Sequence, residues 1–247
     1  MHHFFVSPRS VGEEKLVISG SDVNHIKNAL RMKPGEQILV SDGSGTDYLC
    51  RIDSMDSSQV EASIEEKMDS RELPVRICLF QGLPKSDKME LIIQKAVELG
   101  VYAIIPTATK NAVVKLDGKK EKSKLERWQA IAESAAKQSK RGVIPKIEPV
   151  LSFREALDTA GKLDAVWIPY ENESGMAGTK SALEHIDSGI RSVGIFIGPE
   201  GGFDEKEIEL AKEMGAVPVS LGKRILRTET AGIAVLALLM MKAEGAF

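Results

Sequence analysis

The chain has 247 residues, 43% of them hydrophobic and 28% charged, with a formal net charge of -3. That length can bury a sizeable core in one large domain or two small ones, and the composition is ordinary for a globular chain. Two cysteines, Cys50 and Cys78, exclude a disulfide framework and a cysteine zinc cluster. The acidic balance gives no sign of a nucleic-acid partner.

The first residues, MHHFFVSPRS, lack a basic stretch followed by an apolar run, so no signal peptide is expected. The longest apolar run, Ala231 to Met241, is shorter than the roughly 20 residues that span a bilayer. The expectation is a cytoplasmic protein with no membrane partner.

Residues 1–73 read as short strands, HHFFV, KLVIS, EQILVSDG, TDYLCRI and QVEASIEE, separated by turn residues such as Asp42-Gly43-Ser44-Gly45. One helix is predicted from about Asp22 to Arg31, ended by Lys33-Pro34-Gly35. This pattern predicts a small β-barrel module.

From Pro74 the rhythm changes. VRICLFQGL is a continuous apolar strand of the kind covered on both faces. A helix follows, with Asp87 and Glu90 at capping-box spacing, and Gly100 ends it. AIIPT is the next strand. Ser123 and Glu126 give a second capping-box spacing ahead of a helix carrying Leu125, Trp128, Ala132 and Ala135. Then come strand AVWIPY, a helix near 179–187, strand SVGIFIG, a helix from Asp204 to Met214, strand VPVSLG and an apolar helix from about Thr228. Alternating strands and helices predict an α/β domain over 74–247 with a mostly parallel sheet.

Charge is unevenly distributed. Residues 1–73 hold 8 Lys and Arg against 13 Asp and Glu, whereas residues 110–146 hold 11 against 4. The second stretch is either a solvated helix and loop or the footprint of a phosphate backbone. Lys137, Lys140 and Arg141 stand at its end, beside Gly142.

Two loops carry the chemistry. Ile197-Gly198-Pro199-Glu200-Gly201-Gly202-Phe203 follows a buried strand and precedes a helix with Asp204 at its N-cap. Its glycines admit a ligand close to bare backbone, and ligands of parallel sheets bind at the carboxyl ends of strands. The spacing fits neither a P-loop nor a dinucleotide fingerprint. The next strand ends in Ser220-Leu221-Gly222-Lys223-Arg224-Ile225-Leu226-Arg227-Thr228-Glu229-Thr230-Ala231, where Ile225 and Leu226 lie between cations. That suits a flat, partly apolar ligand such as adenine. Thr228 or Thr230 is a candidate cap of the last helix.

IGPEGGF followed by LGKRILRTETA resembles the C-terminal motifs of the SPOUT class of RNA methyltransferases. Within that class the chain resembles the ribosomal RNA small-subunit methyltransferase E family. HHFF, His25 to Leu30-Arg31, LPKSDKMELIIQKAVELGV and ESAAKQSKRGVIPKI extend the likeness over essentially the whole chain. Phe203-Asp204 and Lys223 depart from the family's usual residues at those positions.

The resemblance implies a PUA-like RNA-binding barrel over 1–73, then a SPOUT domain over 74–247 with a trefoil knot across roughly 165–247. Sequence reading alone would reject a knot, because knots are very rare. It also implies a homodimer, S-adenosylmethionine as cofactor, and methylation of uridine N3 near the 3′ end of 16S rRNA, within the 30S subunit. Ile197, Gly198, Pro199, Glu200, Gly201, Gly202, Ser220, Leu221, Gly222, Ile225, Leu226, Thr230 and Ala231 become the candidate cofactor-binding residues.

Uridine N3 must lose a proton before it attacks a methyl group. Arg227 is therefore the candidate cation for the resulting anion and Glu229 the candidate base, unless the two form an Arg–Glu pair that fixes the loop. His25, Arg31, Lys88, Lys95, Lys137 and Arg141 are candidate RNA contacts, with His25 equally readable as an ordinary surface histidine. Glu98 is placed to orient Lys95 across three residues of helix. His2, His3 and His185 show no ligand-like spacing, and no metal is expected. A related enzyme acting on another rRNA or tRNA nucleotide, and a non-catalytic RNA-binding assembly protein, are the competing readings.

Overall fold

The computed structural model describes residues 1–116, 118–170 and 175–247. Asp117 of the basic stretch and residues 171–174 of the expected knot span lie outside them. The chain divides into two compact units, Met1–Glu72 with Ala136–Ile144, and Leu73–Ala135 with Pro145–Phe247.

The first unit is a five-stranded sheet. Its strands are β1 (His3–Phe5), β2 (Lys15–Ser19), β3 (Gln37–Ser41), β4 (Asp47–Met55) and β5 (Gln59–Met68), in the order β1-β3-β4-β5-β2. β1 pairs parallel with β3, and the other pairs are antiparallel. Period-two burial shows in β2, where Leu16 and Ile18 point into a core shared with Phe4, Ile38, Val40, Ile52 and Val60. The predicted helix is shorter than expected: α1 (Ser21–Asn24) passes into one π turn over His25–Ala29, which buries Val23 and Ile26.

Residues Ala136–Ile144 join this acidic sheet as counter-charge. Lys137 Nζ lies 3.0 Å from Asp22 Oδ1. The Arg141 guanidinium is held by the Glu72 carboxylate, with Nε 2.9 Å from Oε1, and the Gly142 and Val143 amides donate to the same oxygen. Both Arg141 and Glu72 are largely withdrawn from solvent. Such a charge is tolerable inside a protein only when paired and hydrogen-bonded.

A second buried group lies in the same unit. His3 Nε2 bonds Ser41 Oγ at 2.7 Å, and the Ser41 hydroxyl donates to Asp47. Burial lowers the His3 pKa from 6.5 to about 4 and raises that of the Asp47 carboxyl.

The second unit is built on a parallel sheet. Its strands are β6 (Arg76–Gly82), β7 (Ala103–Ala108), β8 (Lys146–Ile147), β9 (Leu151–Ser152), β10 (Ala165–Pro169), β11 (Ser192–Ile197) and β12 (Val217–Val219). The order is β12-β10-β11-β6-β7-β8, with β9 also on β7, and every pair is parallel. β6 and β11, in the middle, are buried almost throughout, as their unbroken apolar sequences require. Phe80 of β6 stacks on Phe196 of β11 at 4.5 Å, and Phe153 meets Phe196 edge-on.

The helices are α2 (Lys88–Glu98), α3 (Gly118–Ser139), α4 (Phe153–Ala160), α5 (Ala177–Glu184), α6 (Glu205–Glu213) and α7 (Thr228–Ala243). The capping boxes fall elsewhere than predicted. Asp87 makes no side-chain cap, its backbone lying outside the extended region of a capping residue, and the Glu90 carboxylate binds Arg127. Ser123 lies inside α3, which starts earlier at Gly118 because Lys, Glu and Leu around it favour helix. True boxes form at Ser152–Glu155 and Asp204–Glu207. α7 buries one stripe of Gly232, Val235, Leu236 and Leu239. Among the described residues no helix is long and apolar enough to cross a membrane.

The His3 shift fixes a pH dependence. The folded chain keeps His3 neutral, while the unfolded chain takes up a proton below about pH 6.5. Stability from this residue is therefore complete above that pH and is lost as pH falls toward 4, by up to about 3 kcal/mol. Asp47, raised in pKa, acts in the opposite sense. Denaturant titrations of His3→Gln and the parent chain should converge between about pH 7 and pH 4.5. A stability difference independent of pH contradicts the assignment.

Candidate active site

The site forms where β6, β10, β11 and β12 end. After β11 the chain turns through 198–204, and Gly202 adopts φ +65° with open space where a side chain would project. Asp204, the N-cap of α6, accepts from Lys206 N, and Glu207 accepts from Asp204 N. Lys110 binds Asp204 at 2.6 Å, and the Asn111 amide donates to the carbonyls of Gly201 and Gly202. The glycine loop is thus braced from the loop after β7. Sequence reading missed one further glycine: a Cβ on Gly82 would lie 2.7 Å from the nitrogen of Pro199. β6 must end without a side chain for the loop to cross it.

The second loop is tied to the first. Thr228 Oγ1 donates to the Gly198 carbonyl at 2.6 Å and accepts from Gln81 Nε2 at 2.9 Å. Neither Thr228 nor Thr230 caps α7 as expected. The N-cap is Arg227, with no side-chain cap bond, and the Thr228 hydroxyl is spent on the glycine loop. At the other end of this loop, Ser220 exchanges hydrogen bonds with Thr179 of α5 through its N–H and carbonyl.

Between the loops lies a cavity of about 360 Å³. Every candidate cofactor-binding residue except Gly201, Ser220 and Thr230 lines it. Gly201 faces Asn111, Ser220 is held by Thr179, and Thr230 is exposed on α7. Pro169, Tyr170, Phe203 and Arg224 also line the cavity. Pro169 and Tyr170 follow from the strand order, which places the end of β10 beside that of β11, and no local motif marks them.

Its size lies within the range of small-molecule sites. Ile197, Leu221 and Leu226 provide apolar wall, and Gly202 and Gly222 leave backbone open to a ligand. Ile225, also in the wall, is 83% exposed. Apolar wall, bare backbone and nearby carboxylates suit an adenosyl group attached to a cationic sulfur.

The polar side of the cavity is ordered by Lys88. Its Nζ lies 3.0 Å from Glu200 and 3.4 Å from Glu229, the latter contact an ion pair without hydrogen-bond geometry. The Glu200 interaction foremost raises the Lys88 pKa. Burial opposes the charge on Glu200, but backbone amides and Lys88 together hold its carboxyl below the usual range. Arg227 also lines the cavity, and its exposed side chain has no hydrogen bond or ion pair among the described residues. The alternative Arg227–Glu229 pair is not formed, because Glu229 is engaged by Lys88.

The candidate RNA contacts separate. His25 is exposed, its ring edge-on to Phe4, and Arg31 is exposed at φ +53°. Lys95 is paired with Glu98 as expected. Lys137 is committed to Asp22. Lys88 lies in the cavity wall, and one expectation is corrected: Arg141, only 6% exposed, is buried against Glu72.

Comparisons with known proteins agree with this geometry. A family profile described as an RNA methyltransferase domain matches residues 71–240, and one described as an RNA methyltransferase PUA domain matches 18–65. The ribosomal RNA small subunit methyltransferase E of Bacillus subtilis is 42% identical over 92% of this chain and 90% of its own. That of Mesomycoplasma hyopneumoniae is 36% identical over 96% and 97%. The crystal structure of the Neisseria gonorrhoeae enzyme bound to S-adenosyl methionine superposes with a TM-score of 0.82, at 32% identity over 98% of this chain and 97% of that one.

Thr228→Val keeps the shape and deletes the hydroxyl. It strands one N–H of the Gln81 amide and removes the hydroxyl bound to the Gly198 carbonyl, so chemical denaturation should show a loss of about 1–3 kcal/mol. A loss within a few tenths would show that the tie is dispensable.

Proposed function

This chain belongs to the ribosomal RNA small subunit methyltransferase E family, and from that premise we propose that it methylates N3 of one uridine near the 3′ end of 16S rRNA. The coarser activity, S-adenosylmethionine-dependent methylation of ribosomal RNA, is that of its family. The observation that carries the finer reading is an unpaired arginine in the wall of a cavity suited to that cofactor, Arg227, with the Lys88-held carboxylate of Glu229 two residues on, in the first turn of α7.

When bound, S-adenosylmethionine supplies an electrophilic methyl group on a sulfonium. The chain must then turn the weakly acidic uridine into a nucleophile. Glu229 takes the N3 proton, with Lys88 fixing its carboxylate in place. Arg227 neutralises the charge that develops on O2 and O4 of the base, and its lack of a protein partner leaves it available for that task. Leu221, Leu226 and Ala231 would enclose the adenine, and the open backbone at Gly202 and Gly222 would let the cofactor approach. Much of the remaining rate enhancement is positioning, because the displacement is in line.

The same reading includes the trefoil knot over roughly 165–247, a 30S-bound substrate met in the cytoplasm, and a homodimer. Support for the dimer comes from α7. Opposite its buried stripe it leaves Ala234 and Met241 exposed and Ile233 and Leu238 half-covered. Light scattering should give twice the 26.9 kDa chain mass. A stable monomer contradicts the dimer.

Primer extension tests the target. N3 methylation blocks base pairing and stops reverse transcriptase, so the stop should vanish in rRNA from cells lacking this protein and return on complementation. A stop that persists, or one that vanishes at a different nucleotide, overturns the uridine assignment. Arg227→Ala should bind S-adenosylmethionine normally by calorimetry while turnover falls about 10²- to 10³-fold. Near-full turnover removes Arg227 from the mechanism.

A further inference from the structure

Among the described residues, three other than glycine have positive φ: Arg31 at 53°, Ser86 at 57° and Lys140 at 58°. Arg31 and Lys140 belong to the first unit. Both occupy the position just past a helix end. The amide of the residue after each bonds back to a carbonyl in the last turn, Met32 N to Ile26 O at 3.0 Å and Arg141 N to Ala136 O at 2.9 Å. Glycine takes this left-handed position without steric cost, and a side chain there crowds its own backbone.

The two side chains do nothing visible for the fold. Both are exposed, and neither makes a hydrogen bond or ion pair among the described residues. Their neighbours differ: Lys137 is held by Asp22 and Arg141 by Glu72. The cations at these helix ends are therefore sorted into neutralised ones that hold residues 136–144 on the sheet and free ones placed where the backbone would prefer glycine. The left-handed backbone is repaid by these closing bonds, but they need no side chain, so a cation in place of glycine at both ends points to function. Free cations on exposed turns suit a phosphate backbone, and residues 18–65 match the RNA methyltransferase PUA profile.

We propose that Arg31 and Lys140 are RNA phosphate contacts of the first unit, with Lys137 and Arg141 structural. This rests on the reading of the chain as an rRNA methyltransferase, and it names the residues that grip the substrate away from the reacting atoms.

The test uses the full chain with Arg31→Gly, Lys140→Gly, both together, and Arg31→Lys, against small-subunit rRNA transcribed in vitro. Binding is measured across a salt series, alongside Tm and calorimetric S-adenosylmethionine binding. Each glycine variant should keep or raise Tm and bind cofactor normally. Each should also weaken RNA binding and reduce the slope of log K against log salt by about 1. Arg31→Lys should retain the slope. A fall in Tm would show that the side chains serve the helix ends, and an unchanged slope would show that they touch no phosphate; either result overturns the proposal. Failure of the parent chain to bind this RNA at all would instead sink the proposed function.

Discussion

The Thr228 hydroxyl stands between an amide from β6 and a carbonyl from the loop after β11, while belonging itself to the first turn of α7. The first bond is buried and the second partly so, and each satisfies a polar group largely withdrawn from water. Through it three segments far apart in sequence acquire one geometry. Gly82 lets Pro199 cross the end of β6, Asn111 and Lys110 hold the far side of the glycine loop, and Thr179 anchors Ser220. The cavity walls are thus fixed from behind by groups that do not themselves carry the chemistry. A site that works largely by positioning needs such support.

Charge in this molecule is divided by task. In the second unit Lys88 gathers two carboxylates, leaving Arg227 unpaired at the same cavity. In the first, two of three cations from residues 136–144 are consumed by acidic groups of the sheet. The basic stretch that looked uniform in sequence is therefore not a single binding face. Its net charge overstates what a polyanion could reach.

Much of this was legible in the sequence, for identifiable reasons. Unbroken apolar runs gave β6 and β11 their central places in a parallel sheet, and Gly-rich and apolar-cationic loops at strand ends marked the cavity. What escaped was non-local. Capping boxes depend on where a helix starts, and Glu90 answered to Arg127, a distant residue, rather than to Asp87. The hydroxyl of Thr228 chose a carbonyl thirty positions away over its own helix. Nothing in the run KQSKRG says that Arg141 is buried while Lys140 is exposed; the Glu72 carboxylate decides that. Pro169 and Tyr170 reach the cavity only because β10 lies beside β11.

The pairing of Glu72 with Arg141 also bears on synthesis. A chain made from its N-terminus completes the five strands of the first sheet long before Arg141 and the amides of Gly142 and Val143 exist. Until then Glu72 and Asp22 belong to a strongly acidic fragment without their counter-charges. Roughly seventy residues, including β6, α2, β7 and most of α3, must leave the ribosome before the first unit can close, so its last contacts wait on a stretch of chain that belongs to the second.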